Sequence, residues 1–322
     1  MEIPATRYLE HDGVSIAWQV FGEGPAEIMI VPGWVSHVDQ FWAYPDPREF
    51  LTELAEFARV AMYDKPGTGA SDPLEVTPSV ERRVEQVVAV MDAAGLGQPT
   101  VIGVSEGGIT ASLAAAGRPD RVGQLVLLNA VAGGFDPRSR GELSDAEFEA
   151  WREFILSTAA HWGDGSHGDR WLAGVRDPDE AWGRLQRACA TPAVARRYMA
   201  AVADGLSAWD VLGAIHQPTL VLQRRHDQIV KVELARAEAE RIPNATYVEL
   251  GGAEHLPWLG ETGEVLAELR DFVGAPSPSA HPDRVLAAIL FTDIVRSTEA
   301  LARLGDAAWN AKLKRHTQIV RR

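Results

Sequence analysis

The chain has 322 residues, of which 46% are hydrophobic and 24% charged, the proportions of a globular protein with a sizeable core. Its formal net charge of −14 argues against nucleic acid or an anionic membrane surface as the main partner, because their phosphate groups would repel it. The single cysteine, Cys189, excludes an internal disulfide. The sequence has neither a run of 18 apolar residues nor a secretory signal, so we expect a cytoplasmic protein without a transmembrane helix.

Seven β-rich segments alternate with segments of helical periodicity over most of the chain. Several of these strands are nearly continuous apolar runs, which is typical of a parallel sheet covered by helices on both faces. In one predicted helix we expect Thr77 to be the N-cap and Pro78 the first helical residue. The predicted strands are residues 14–21, 27–31, 59–63, 100–104, 124–128, 219–223 and 246–250. The predicted helices are residues 46–57, 77–94, 106–116, 232–241 and 264–273.

Residues 134–205 interrupt this alternation. They contain helical stretches, among them residues 145–158 and 192–203, and no segment that predicts a strand. The segment also holds four of the ten tryptophans of the chain: Trp151, Trp162, Trp171 and Trp182. It therefore predicts a helical insertion between two strands of the sheet.

The C-terminal part of the chain differs from the rest in composition. Residues 275–283 are rich in proline and serine and predict a linker after a domain of residues 1–274. Residues 284–322 offer one strand and one helix, too few for a core of their own. This segment carries a net charge of +5, whereas residues 1–283 carry −19. We expect it to dock on the acidic domain or on a second copy of the chain, which would give a homo-oligomer.

Ser105 lies in the sequence Gly-Val-Ser-Glu-Gly, between a predicted strand and a predicted helix. In this context Gly-x-Ser-x-Gly indicates a nucleophile elbow, a strained turn that exposes the serine hydroxyl. The two glycines remove Cβ atoms that would clash in so sharp a turn, and the helix N-terminus favours developing negative charge. We predict Ser105 as a catalytic nucleophile. An ordinary tight turn between strand and helix is the alternative.

A nucleophilic serine needs a base, and the base needs an acid that orients it. Asp227 and His255 each follow a predicted strand, so both are expected at the sheet edge that also carries the elbow. Their order along the chain, serine, acid and histidine, is that of the nucleophile-elbow arrangement. We therefore predict His255 as the base and Asp227 as the acid.

Other candidates for these two roles are weaker. His226 is adjacent to the proposed acid, and its side chain should point away from it. His216 precedes its strand and so lies at the wrong end of the sheet. A rival acid would follow the strand 124–128, but that position is Asn129, which cannot carry a charge.

The oxyanion that forms during acyl transfer needs backbone N–H donors. One is expected from Glu106, directly after the nucleophile. The other is expected from Trp34, in the Pro-Gly-Trp loop after the strand 27–31, where Gly33 allows a close backbone approach. A plain turn with Trp34 in the core is the alternative. His37 is a weaker candidate for the pocket, since it could equally lie on the surface.

Together these motifs resemble those of the α/β-hydrolases, and the resemblance covers residues 1–274. It also includes Asp64-Lys-Pro-Gly-Thr-Gly-Ala-Ser-Asp72, which is similar to the D-x-x-G-x-G-x-S segment near the oxyanion loop of that family. The resemblance implies a mostly parallel eight-stranded sheet, a helical cap at about residues 134–205 and a Ser–His–Asp hydrolase. The sequence departs from the family where Pro-Gly replaces the commoner His-Gly, and where acidic Glu106 follows the serine.

The C-terminal segment resembles a different family. Residues 290–298, which include Asp293, are similar to the first strand and metal loop of class III adenylate and guanylate cyclases. In that family the corresponding aspartate binds the catalytic metal ion, and such cyclase domains occur fused behind α/β-hydrolase domains. The second metal aspartate of the family has no counterpart in residues 284–322, so we expect no cyclase activity.

The sequence predicts neither a cofactor nor a metal ion, because phosphate-loop, dinucleotide-binding and zinc-ligand spacings are missing. Trp162 and Trp182 are candidates for a pocket that binds an apolar or aromatic substrate. We therefore predict hydrolysis of a small-molecule carboxylic ester or lactone. A C–C bond hydrolase, an amidase or a cofactor-free perhydrolase remain alternatives on the same residues, and a ligand-binding sensor for a fused cyclase is the alternative that is not an enzyme.

Overall fold

The computed structural model describes residues 1–73 and 76–275. The predicted cyclase-like segment, residues 284–322, lies outside the described residues, as does the predicted linker beyond Ala275. The expectation of a homo-oligomer that forms through this segment therefore stays a prediction.

An eight-stranded sheet forms the centre of the molecule, with the strand order β1-β2-β4-β3-β5-β6-β7-β8. Strand β2 runs antiparallel to both of its neighbours, and the other neighbouring strands are parallel, which confirms the predicted fold class. All seven predicted strands are present, with ends within one residue of their predicted positions. The strands are β1 (Arg7–His11), β2 (Val14–Phe21), β3 (Ala26–Val31), β4 (Ala58–Tyr63), β5 (Thr100–Val104), β6 (Gln124–Leu128), β7 (Thr219–Arg224) and β8 (Ala245–Leu250).

Ten α-helices accompany the sheet within the described residues, and two separate apolar clusters fill the space between the sheet and the helices. Strand β5 is buried along its whole length because both of its faces are covered. The helices are α1 (Gln40–Ala43), α2 (Pro45–Ala55), α3 (Val80–Ala94), α4 (Gly107–Gly117), α5 (Asp145–Ala160), α6 (Gly168–Trp171), α7 (Pro178–Cys189), α8 (Pro192–Ala203), α9 (Val232–Arg241) and α10 (Thr262–Phe272). No helix in the described part of the chain is both long and apolar enough to cross a membrane.

The start of α3 differs from the prediction. The helix begins at Val80, and Ser79 is its N-cap, with the hydroxyl group accepting a hydrogen bond from the N–H of Arg82. The prediction of Thr77 as N-cap and Pro78 as the first helical residue was therefore wrong. Both Thr77 and Ser79 are suitable capping residues, and the sequence alone does not decide between two of them so close together.

The predicted helical insertion consists of α5 to α8 and short turns, and none of residues 134–205, all of which are described, forms a strand. We call residues 134–205 the cap segment. Just before it, the N–H groups of Ala132 and Gly133 donate to Oε1 of Glu238 on α9, at 2.7 and 2.8 Å. Glu238 is completely buried, and its Oε2 has no hydrogen-bond partner. Burial raises the pKa of Glu238 to about 8, although the two N–H groups oppose this shift.

The position of the α3 cap can be tested with two alanine substitutions. We expect Ser79→Ala to lower the free energy of unfolding by about 1 kcal/mol, because one N–H at the helix start loses its partner. Thr77→Ala is the matched control and should change it by less than about 0.5 kcal/mol. Urea unfolding followed by circular dichroism measures both. A larger loss in Thr77→Ala than in Ser79→Ala would contradict the assignment.

The buried carboxyl group of Glu238 predicts a dependence of stability on pH. Between the ordinary glutamate pKa and about 8, the folded protein keeps this proton and the unfolded chain does not. Stability relative to Glu238→Gln should therefore fall as the pH rises from about 5 to 8, by about 1.4 kcal/mol per pH unit. Urea unfolding of both proteins at several pH values tests this. Parallel pH profiles for the two proteins would show that Glu238 does not titrate in this way.

Candidate active site

Ser105 occupies a strained turn between β5 and α4. Its φ of 53° is in the left-handed region, which a residue with a side chain seldom adopts outside special sites. A Cβ atom on Gly107 would lie 2.4 Å from the carbonyl oxygen of Val31, so only glycine allows the elbow to pack against the end of β3. The turn brings the Ser105 hydroxyl to the N-terminal end of α4, at the edge of the sheet.

The structure brings together the three side chains that were predicted to cooperate. Nε2 of His255 lies 2.9 Å from Oγ of Ser105, and Nδ1 of His255 lies 2.9 Å from Oδ2 of Asp227. The other oxygen of Asp227 accepts hydrogen bonds from the N–H groups of Ile229 and Val230. His255 is 1% exposed and Asp227 3%, so the chain of hydrogen bonds is shielded from solvent. By contrast, His216 and His226 are exposed.

Asn129 has a role that sequence reasoning missed. It follows β6 with a φ of 43°, and its side-chain amide donates to the carbonyl oxygen of His255 at 2.7 Å. Its Oδ1 accepts a hydrogen bond from the N–H of Arg224 at the end of β7. A single amide group therefore fixes the histidine loop relative to two strands. The prediction for the position after β6 concerned charge alone, whereas the signal for this role is that an amide can donate and accept hydrogen bonds at once.

The loop after β3 lies directly against Ser105. A Cβ atom on Gly33 would lie 3.1 Å from Cβ of Ser105, which is closer than most Cβ contacts, so glycine at position 33 favours this close approach. Within the part of the chain that the structure describes, the backbone N–H groups of Trp34 and Glu106 donate no hydrogen bond. Both are therefore available to a substrate oxygen. The carboxylate of Asp64 fixes the same loop, since it accepts from Oγ of Ser36 and from the N–H of Val38.

The side chain of Glu106 forms a buried ion cluster beneath the elbow. Its two carboxylate oxygens pair with Nζ of Lys65 at 2.5 Å and with Nη1 of Arg83 at 3.0 Å. Both cations also lie over the ring of Tyr198, 4.8 and 5.0 Å from its centroid. Burial alone would raise the pKa of Glu106, but the two cations hold it below its ordinary value. Burial lowers the pKa of Lys65, and Glu106 opposes that shift.

Tryptophans of the cap segment cover Ser105 and His255. The ring of Trp171 meets that of His255 edge to face at 5.5 Å and is stacked on Trp182 at 4.8 Å. Trp162 packs against Trp34 at 4.9 Å, and its indole N–H donates to the carbonyl oxygen of Ala190. These rings shield Ser105 from solvent, and its exposed fraction is only 9%.

Two cavities meet at Ser105. The larger cavity has a volume of about 90 Å³ and is lined by Gly33, Trp34, Trp182 and His255, among others. The smaller cavity has a volume of about 30 Å³. Trp34, Ser105 and Trp171 line both cavities.

Two of the predicted pocket residues line neither cavity, namely Trp162 and His37. Trp162 instead supports Trp34 from behind. His37 is half-buried at the start of α1, where its carbonyl oxygen accepts from the N–H of Gln40.

One group of side chains in the described residues could ligate a metal ion. Ligand atoms of His11, Asp12 and Glu85 lie within 4.8 Å of one another. Asp12 also forms an ion pair with Arg82 at 3.2 Å. None of these three candidate ligands lines either cavity at Ser105. This group is therefore separate from the candidate active site.

Comparison with known proteins finds several that are similar to this chain over most of its length. The pimeloyl-[acyl-carrier protein] methyl ester esterase of Xanthomonas campestris pv. campestris is 29% identical over 268 residues, which cover 80% of this chain and 98% of that protein. A hydrolase from Pseudomonas aeruginosa PA01 superimposes with a TM-score of 0.67 at 24% identity, over 84% of this chain and 98% of that one. An enol-lactonase from Burkholderia xenovorans LB400 gives a TM-score of 0.66 at 23% identity, over 83% and 100%. At these identities the two structures show a shared fold alone.

The model of the alpha/beta hydrolase fold family matches residues 28–262, from β3 to the start of α10. The matched stretch contains Ser105, Asp227 and His255 and ends before residues 284–322, so the cyclase resemblance of the C-terminal segment stays a prediction. The chain belongs to the alpha/beta hydrolase fold family.

Proposed function

We propose that the protein is a serine hydrolase that cleaves a carboxylic ester or a lactone of an apolar substrate through an acyl-enzyme. The observation that carries this proposal is the buried chain of hydrogen bonds from Asp227 through His255 to Ser105, which ends at an apolar cavity. The relative from Xanthomonas, whose name gives it as a methyl ester esterase, supports ester chemistry.

In the first half of the reaction Ser105 is the nucleophile. Its Oγ attacks the carbonyl carbon of the substrate while His255 takes the hydroxyl proton on Nε2. Asp227 accepts a hydrogen bond from Nδ1 of His255, which selects the tautomer whose Nε2 can accept that proton. The N–H groups of Trp34 and Glu106 stabilise the negative charge that develops on the carbonyl oxygen.

The alcohol then leaves, and in the second half of the reaction water hydrolyses the acyl-enzyme. His255 gives its proton to the leaving alkoxide, and the ester bond breaks to leave an acyl group on Ser105. His255 then takes a proton from a water molecule, whose oxygen attacks the carbonyl carbon of the acyl-enzyme. The bond from that carbon to Oγ breaks, the acid leaves, and His255 returns the proton to Oγ of Ser105. Side chains and backbone groups of this chain carry out every step, so the proposal invokes no cofactor.

The role of Ser105 can be tested with two serine substitutions. We expect Ser105→Ala to lower kcat for p-nitrophenyl acetate by at least about 10³-fold and to abolish labelling by a fluorophosphonate. Ser112→Ala is a matched control, because Ser112 is also buried, lies on α4 and has an Oγ without a partner. It should keep full activity. Full activity in Ser105→Ala would overturn the assignment, and absence of labelling in the wild type would favour a binding protein.

The ion cluster beneath the elbow predicts an effect on both stability and rate. We expect Lys65→Met to lower the free energy of unfolding by about 3 kcal/mol, because Glu106 keeps its buried charge and loses one of two partners. We also expect kcat to fall about tenfold with little change in KM, since the cluster fixes the residue that supplies an oxyanion N–H.

The double variant Lys65→Met with Glu106→Gln is the matched control for this effect. It also removes the buried carboxylate and so leaves Arg83 as a buried cation without an ion-pair partner, and it should therefore be no more stable than Lys65→Met. Urea unfolding and steady-state kinetics measure the three proteins. If Lys65→Met were as stable as the wild type, the ion cluster would not support the elbow.

A further inference from the structure

We propose that the substrate is an uncharged ester with a short acyl group and a longer apolar alcohol. This inference rests on the proposed function and extends it to the two arms of the substrate. It follows from the two cavities that meet at Ser105, from their different volumes, and from the position of His255 in the wall of one cavity only.

The larger cavity continues from Ser105 into the core beside the sheet. Its deeper wall consists of apolar side chains from α2 and from neighbouring strands, including Phe50, Leu54, Met62 and Ile102. Its volume of about 90 Å³ is three times that of the smaller cavity. For comparison, a dry apolar cavity of about 150 Å³ accepts benzene. A chain of about four carbon atoms is therefore a suitable occupant of the larger cavity.

The smaller cavity lies on the other side of Ser105, between the elbow and the cap segment. Its walls include Val131 together with Ile155, Met199 and Val202 from the helices of the cap segment. A cavity needs roughly 10–15 Å³ to hold one water molecule, so 30 Å³ is enough for a methyl or ethyl group and too little for a longer chain.

The position of His255 decides which arm of the ester occupies which cavity. His255 lines the larger cavity and is absent from the walls of the smaller one. Because His255 must give its proton to the leaving oxygen, the alcohol arm has to lie on the side of Ser105 where His255 forms part of the cavity wall. The alcohol therefore occupies the larger cavity, and the acyl group occupies the smaller one.

Neither cavity offers a counter-ion to a charged substrate. The walls of the larger cavity contain no Asp, Glu, Lys or Arg side chain. The smaller cavity contains one charged residue, Glu106, whose two carboxylate oxygens are paired with Lys65 and Arg83. Burial of an unpaired carboxylate is strongly unfavourable, so a substrate that carries one on its alcohol arm should be rejected.

A pair of isomeric esters tests the assignment of the arms. Butyl acetate and methyl pentanoate have the same composition and carry the same two alkyl groups on opposite sides of the ester bond. We expect kcat/KM for butyl acetate to exceed that for methyl pentanoate at least tenfold. Methyl pentanoate can place its butyl group in the larger cavity, but its leaving oxygen then faces away from His255. It should therefore act as a competitive inhibitor. Equal rates or the reverse preference would overturn the assignment.

A cavity-enlarging variant provides an independent test. Ile155→Ala removes atoms from the wall of the smaller cavity and should raise the ratio of methyl pentanoate to butyl acetate hydrolysis at least fivefold. Leu156→Ala is the matched control, because Leu156 is the next residue of α5, is partly buried and lines neither cavity. It should leave the ratio unchanged. A similar change of the ratio in both variants would contradict the role of the smaller cavity.

The requirement that the substrate be uncharged is tested with 4-acetoxybutanoate, which keeps the acetyl group and places a carboxylate at the end of the alcohol arm. We expect its kcat/KM to be at least 100-fold lower than that of butyl acetate, and a value within fivefold would overturn the requirement. Fluorophosphonate labelling of Ser105 in the same preparation separates this inference from the proposed function. If Ser105 is labelled but the measured preference among the esters differs from the predicted one, only the inference is overturned. If the protein shows neither labelling nor ester hydrolysis, the proposed function is overturned.

Discussion

A carboxylate, an imidazole and a hydroxyl lie in line within an apolar interior, and the rest of the site depends on keeping them hydrogen-bonded there. A buried polar group without a partner is costly, and its cost rises as water is excluded. Asp227 meets this constraint with the N–H groups of Ile229 and Val230, and His255 meets it with Asp227 and Ser105. The tryptophans of the cap segment can therefore cover the site without leaving any of these groups unsatisfied.

The same constraint acts on Glu106, which is adjacent to Ser105, the proposed nucleophile. An unpaired carboxylate at this position would oppose the negative charge that the proposed mechanism places on the substrate oxygen. Two cations from different parts of the chain hold it, so that the cluster of Lys65, Arg83 and Glu106 carries one net positive charge beneath the elbow. In the proposed mechanism this arrangement favours the oxyanion, and it explains how an acidic residue is compatible with the position after the serine.

Much of the fold and of the site could be predicted from the sequence, because the strands are continuous apolar segments and parallel strands end at a common edge. Ser105, Asp227 and His255 each follow such a strand, so their meeting needs only the topology. Strand β1 was missed because its five residues are mostly polar and only half-buried on one face. Helix α7 was not identified because its start, after Asp177 with a φ of 49°, has the sequence of a turn.

The contacts that could not be predicted join residues that are distant in the sequence. Lys65 is 41 residues from Glu106, and Asn129 is 126 residues from the carbonyl group that it holds. No local pattern encodes either pairing, because each depends on how loops meet after the sheet has formed. The same holds for the two cavities, whose walls come from strands, from α2 and from the cap segment. Substrate preference is therefore a property of the assembled fold.

The most direct test of the central claim is to trap the covalent intermediate. The wild-type protein would be mixed with p-nitrophenyl acetate, quenched in acid within the first turnover, digested and examined by peptide mass spectrometry. The account predicts an acetyl group on the peptide that carries Ser105, at the serine itself, which forms and disappears at rates compatible with turnover. Release of p-nitrophenol at the full rate with no acetyl group on Ser105, or with the acetyl group on another residue, would contradict it.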